Sequence, residues 1–155
     1  MTDNKVLLNQ LESLAKLDVD AVHAYTSAIE RIDLPDVKQQ LTRFRSEHEK
    51  HISDLSPLIV RFGGKAPTRN PDLKGFFIQG FTAIRSMMGN EQALKAMKSN
   101  EELTNKTYAK ALEFEFPSDI KEVVRRNRDD ERRHLDYVNK CINDQVWKRS
   151  EKTVA

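Results

Sequence analysis

A chain of 155 residues, 38% hydrophobic and 32% charged, is long enough to bury a core without staples and is expected to form one folding unit. Its 26 basic and 24 acidic residues nearly cancel at a formal +2, which argues against nucleic acid or an anionic membrane as partner. A lone cysteine, Cys141, excludes an intramolecular disulfide; with no apolar N-terminal run resembling a signal peptide, the expected compartment is the cytoplasm.

Leu7, Leu11, Leu14, Val22, Ile29 and Ile32 recur at helical spacing, so a first helix with one buried stripe is expected over 6–32, with Thr2 and Asp3 as candidate caps. Leu34 precedes Pro35 and is poorly placed for helical dihedrals, while proline suits a first turn. A second helix therefore starts there and runs to Arg61 or Phe62, where Gly63-Gly64 ends it. Pro57 lies inside that pattern and should bend the helix without breaking it.

Positions 65–74 read as loop. The apolar, aromatic stretch 75–88 reads as a short helix in a long crossover, its Phe76, Phe77, Phe81, Met87 and Met88 covering the bundle or, less favoured, forming an oligomer interface or an apolar channel. Gln79, Gly80 and Arg85 interrupt it, and it is too short to cross a bilayer. Asn90 is the expected cap of a third helix over 91–114. The turn Phe116-Pro117-Ser118 then leads into a fourth, over 119–147. The expectation is an all-α, up-down four-helix bundle of two hairpins over 1–147, with a tail at 148–155 that is frayed or used in assembly.

The two hairpins repeat each other at an offset of 83 residues. Asp18 falls 83 residues before Glu101, Tyr25 before Tyr108, His48 before Glu131 and His51 before His134, and Leu11, Leu14 and Leu55 before Leu94, Met97 and Val138 keep the same offset. Each polar residue lies in the register of its helix's apolar stripe, so three carboxylates and three imidazoles should face one core. An isolated buried carboxylate takes up a proton or finds a counter-charge. The stripes hold no Lys or Arg, and a divalent metal would meet the need, since residues three apart on one helix face can reach the same ion.

The run Asp130-Glu131-Arg132-Arg133-His134-Leu135-Asp136-Tyr137 resembles the last-helix Glu-x-x-His motif of bacterioferritins and rubrerythrins. The spacings from Glu101 to Tyr108 and from Asp18 to Tyr25 are similar to the carboxylate-then-tyrosine elements of the same ferritin-like superfamily. That resemblance spans about 7–147 and implies a di-iron bundle. In it Glu131 bridges two irons, His134 binds one, and Asp18, His48, His51 and Glu101 complete the metal shell.

Two positions depart from the pattern. Asp18 stands where Glu is usual, about 1.5 Å shorter in reach, and His48-Glu49-Lys50-His51 stands where Glu-x-x-His is usual. Glu47 could rotate in as a substitute, though in a poorer register. Three carboxylates carry one negative charge fewer than the usual four, so a diferric state should be less stable. Three imidazoles suit Fe, Zn, Ni or Cu better than Mg or Mn. Two irons lead, a mononuclear site on His48, His51 and one carboxylate follows, and Zn or Mn remain options.

Tyr25 and Tyr108 are expected to orient the carboxylates through their hydroxyls. His23, on the face opposite Tyr25, is expected in solvent, and Cys141 as an inert core residue. The function expected first is iron-dependent oxidation-reduction with O2 or peroxide; a storage shell or another homo-oligomer is compatible with it. The alternative is a structural or partner-binding bundle whose site is mononuclear, holds zinc or is vestigial.

Overall fold

The computed structural model describes residues 3–68 and 89–149. Among these it is all-α: α1 (Asn4–Arg31), α2 (Pro35–Arg61), α3 (Asn90–Ala111) and α4 (Ser118–Asn143). The expected crossover helix over 75–88, with its Phe and Met cluster, and most of the tail lie outside the described residues.

Short turns fold α1 onto α2 and α3 onto α4. The two hairpins then meet through α1 against α3 and α2 against α4, leaving α1 diagonal to α4 and α2 to α3. Tyr25 of α1 reaches Glu101 of α3, and Tyr108 of α3 reaches Asp18 of α1. The crossed order of these pairs makes α1 and α3 antiparallel, and with the offset of 83 it gives the bundle a pseudo-twofold axis through its middle. The directions run up, down, down, up.

Several ends follow the sequence. Asp3 caps α1, its carboxylate accepting from the Lys5 amide at 3.0 Å, and Pro35 occupies the first turn of α2. Pro57 lies inside α2 without ending it. That helix closes as a Schellman motif at Gly63, whose φ is +89°: the Gly64 amide donates to the Ile59 carbonyl and the Gly63 amide to Val60, both at 3.0 Å.

Three details differ from expectation. Asn90 does not cap α3; its amide instead pairs with the turn between α1 and α2, donating to Asp33 Oδ1 at 2.6 Å and accepting from the Asp33 backbone at 2.9 Å. Helix α3 stops at Ala111, before Phe114. Helix α4 stops at Asn143 rather than near Trp147, because Gln145 takes φ +47° and closes a second Schellman motif, with the Val146 amide on the Cys141 carbonyl at 3.2 Å. A side chain in that left-handed region costs roughly 1–2 kcal/mol. Gln145→Gly should therefore raise stability by about 1 kcal/mol, read as a higher urea midpoint at unchanged m-value.

The core is divided. One apolar cluster around Leu7, Leu11, Leu14, Leu55, Ile59, Ile120 and Val124 fills one end of the bundle. A second around Ile32, Val37, Leu41, Phe44, Leu94, Met97 and Val138 fills the other. Tyr25 belongs to the second and Tyr108 to the first, and the buried Asp18, His48, His51, Glu101, Glu131 and His134 lie in the layer between them. Cys141 is buried in the core as expected. His23 is not in open solvent: it is half-buried and lines a groove between α1 and α2 with Val19, Val22, Glu49 and Ile52. Crowding of α1 on several faces, with Leu17, Val19 and Asp20 buried beside the main stripe, accounts for this.

Candidate metal centre

The helical register delivers all six polar stripe residues to the middle layer. Asp18, His48, Glu101, Glu131 and His134 are fully buried and His51 is 1% exposed. They form two overlapping groups, Asp18-His48-His51-Glu131 and His48-Glu101-Glu131-His134, whose ligand atoms lie within 4.8 Å of one another. His48 and Glu131 belong to both.

In the first group Asp18 Oδ1 accepts from Nδ1 of His48 at 2.8 Å and from Nδ1 of His51 at 3.1 Å. Glu131 Oε1 lies 3.3 Å from each of these nitrogens. Around a four-coordinate ion with bonds of about 2.0 Å, neighbouring ligand atoms stand about 3.3 Å apart. The second group is looser: His48 Nε2 is 3.6 Å and His134 Nδ1 3.8 Å from Glu101 Oε1, and Glu131 Oε2 is 3.5 Å from His134 Nδ1.

Both carboxylate oxygens of Glu131, Nε2 of His48 and Nδ1 of His134 are buried without a hydrogen-bond partner. A charged group so placed costs several kcal/mol unless a cation or proton meets it. These atoms are close but not aligned for hydrogen bonding, which is how ligands around a shared ion are disposed. The donor set, carboxylate oxygen and imidazole nitrogen, fits a borderline transition metal.

The surroundings hold each group in place. The Tyr25 hydroxyl donates to Glu101 Oε1, Thr104 donates to Glu101 Oε2 at 3.2 Å, and Tyr108 donates to Asp18 Oδ2 at 2.5 Å. Asn127 donates to the Tyr108 hydroxyl at 3.4 Å, and Asn105 ties α3 to α4 by donating to the backbone carbonyls of Glu101 at 2.8 Å and Glu131 at 2.9 Å. The expected orienting role of the two tyrosines has this geometry.

Outside the cage, His51 Nε2 donates to Asp130 at 2.9 Å and His134 Nε2 to Glu47 at 2.5 Å. Each contact turns Nδ1 inward and makes the ring a stronger donor of its lone pair. Arg133 joins the two outer carboxylates, reaching Glu47 at 3.1 and 3.2 Å and Asp130 at 2.5 Å. Glu47 is thus not a substitute for His48 but the partner of His134. Asp130 and Arg133 were not anticipated, although Glu47 and Asp130 obey the same offset of 83 as the cage itself. Asp130→Ala should weaken metal binding about 10- to 100-fold with the helices still formed, although the metal-free protein loses the His51 contact along with the exposed Arg133 pair, which itself adds little stability; competition against a chelator reads the change.

The electrostatics revise one inference from sequence. Counter-charge for the buried carboxylates need not come from Lys, Arg or metal, because the imidazoles can carry it. Burial opposes charge on His48, but Glu131, Asp18 and Glu101 outweigh it and raise its pKa to about 10. Burial likewise opposes charge on His51, and Asp18, Asp130 and Glu131 raise it to about 12. His134 is raised too, against burial, by Glu131 and Glu47. Burial would lift Glu131, yet His48, His134 and His51 hold it well below the usual carboxylate range, while burial and the charge of Glu131 raise Glu101. Asp130, despite burial, is pulled down to about 2 by His51 and Arg133.

Fold and site together define a four-helix bundle with a buried carboxylate-histidine cage that could hold metal. Residues 6–114 match the family described as Domain of unknown function (DUF2383), and the chain belongs to that family. The matched stretch carries Asp18, His48, His51 and Glu101; Glu131 and His134 come from α4, beyond it. No curated protein matches the chain. Among the described residues no helix is long and apolar enough to cross a membrane.

Proposed function

We propose that this protein is a ferritin-like metal-binding bundle that holds two iron ions in the paired cages and acts in oxidation-reduction with O2 or peroxide. The observation that carries the reading is Glu131, a fully buried carboxylate with neither oxygen hydrogen-bonded, set between two imidazole-carboxylate groups. Asp18, His51 and Glu131 Oε1 would hold one ion; Glu101, His134 and Glu131 Oε2 would hold the other; His48 borders both. Bound iron would supply the electrons that reduce the oxidant, the oxidising equivalents passing to iron itself or to a small substrate.

The chain's own residues do the rest. Asp130 and Glu47 fix the tautomers of His51 and His134, Tyr25 and Tyr108 fix the carboxylates, and the apolar clusters at both ends keep bulk water from the layer between them. Protein loaded anaerobically with Fe(II) and then mixed with air or peroxide should consume the oxidant faster than Fe(II) in buffer. Consumption at the buffer rate overturns the redox reading.

A second reading has its own observation. Three imidazolium ions can neutralise the three cage carboxylates, so the bundle could persist as a structural or partner-binding protein with one zinc or with no metal. The oxidant-consumption assay separates the redox reading from a structural zinc site, and the pH response of metal binding, argued in the Discussion, separates both from a vestigial one.

A further inference from the structure

His48 occupies the one place where the repeat is chemically unequal. Its counterpart 83 residues on is Glu131, and the pseudo-twofold sets the two side by side at the centre of the cage. A carboxylate there offers two oxygens on the same carbon. An imidazole offers two nitrogens on opposite edges of a rigid ring.

The ring's two nitrogens face different halves of the site. Nδ1 lies 2.8 Å from Asp18 Oδ1 and 3.3 Å from Glu131 Oε1, whereas Nε2 lies 3.6 Å from Glu101 Oε1 and has no hydrogen-bond partner. The ring sits between those of His51, at 5.5 Å, and His134, at 5.0 Å. Fully buried and packed against Tyr25 at 5.2 Å, it is hemmed in by rings on three sides. The ring belongs to both donor sets, Asp18-His48-His51-Glu131 and His48-Glu101-Glu131-His134, with Nδ1 toward the carboxylate found only in the first, Asp18, and Nε2 toward the one found only in the second, Glu101.

We infer that His48 bridges the two metal ions through its ring, one ion at each nitrogen. The inference rests on the metal-binding reading above and deepens it. Binding on both edges displaces both N–H protons of the metal-free imidazolium ring to solvent, leaving an imidazolate that contributes a fourth negative charge beside Asp18, Glu101 and Glu131. It also sets the spacing. Metal–nitrogen bonds of about 2 Å on opposite edges of the ring place the ions about 6 Å apart, against about 3.5–4 Å in ordinary two-metal sites. Glu131, with one oxygen toward each half, can span the wider gap through both oxygens.

The test is crystallography of the full chain loaded with Zn(II), with anomalous scattering at the zinc edge, on the natural protein and on His48→Glu. The expected result is two Zn(II) ions about 6 Å apart flanking the His48 ring, contracting to about 3.5–4 Å in His48→Glu, where a carboxylate takes the bridging place. Two ions at the short spacing in the natural protein, or one ion bound by a single His48 nitrogen, overturn the inference and leave metal binding standing. Absence of zinc from the cage overturns both. If His48→Glu does not fold, the spacing in the natural protein still decides.

Discussion

Replacing Glu131 by glutamine should strip the bundle of metal. Each oxygen of Glu131 lies among the donor atoms of a different half of the cage, at 3.3 Å from the nitrogens of His48 and His51 and at 3.5 Å from that of His134, so one substitution weakens both halves. The loss should exceed the about 10- to 100-fold that follows removal of an outer partner such as Asp130. Glutamine keeps the volume of the side chain, so the helical spectrum should survive. Alanine should be harsher, because it leaves a void and removes the carboxylate that faces three imidazoles; breaking such a buried pair costs about 3–5 kcal/mol. Metal content measured on both variants at constant helix content gives the answer, and unchanged content in Glu131→Gln would show that Glu131 is a structural carboxylate.

The second large effect is on pH. In protein stripped by chelator, His48 and His51 keep their protons to about pH 10 and 12, well above the about 6.5 of an unfolded histidine. Their contribution to stability is fully present below pH 6.5 and is lost as pH rises through those folded values. Glu131 works the other way: held low, it contributes above its unfolded value near 4.5 and loses that contribution as pH falls through its folded one. Stripped protein should therefore be most stable near neutrality and unfold more readily above about pH 10.

Metal must displace the same protons. Affinity should climb about tenfold per pH unit for each proton released, hence about 100-fold per unit if His48 and His51 each lose one between pH 6 and 9, and about tenfold more per unit if His48 gives up both of its protons to bridge. Calorimetric titration with Zn(II) in buffers of different ionisation enthalpy counts those protons directly. A slope near zero would mean that the imidazoles are not ligands, which is the vestigial reading.

Much of this architecture was legible in the chain because two signals coincide. Helical periodicity sets the stripes, and the constant offset carries Asp18, His48, His51, Glu101, Glu131 and His134 along with the leucines beside them. The structure places all six in one buried layer. What stayed hidden depends on tertiary contact or on side-chain reach. Glu47 and Asp130 sit one residue off the stripe and remain about a third exposed, yet each curves in to hold a ring nitrogen. Their common offset was the available clue, and Arg133, which ties them together, left none.

Helix ends were the weaker part for a related reason. Asn90 has the chemistry of a cap but spends its amide on Asp33 across the bundle. Gln145 adopts a backbone conformation that glycine would advertise and glutamine does not. Residue types alone do not show the source of the counter-charge either, because imidazoles become cations only when packed against carboxylates, as His48 and His51 are.

The measurement that bears most directly on the cage as a metal centre is elemental analysis of the full chain purified without chelator and without added metal. Two transition-metal ions per chain, one for each half of the paired groups, is the predicted result, with iron the dominant element. Metal at background level, in protein that still gains none when offered Fe(II) or Zn(II) at pH 8, would contradict the account and leave a helical bundle whose buried charges neutralise one another.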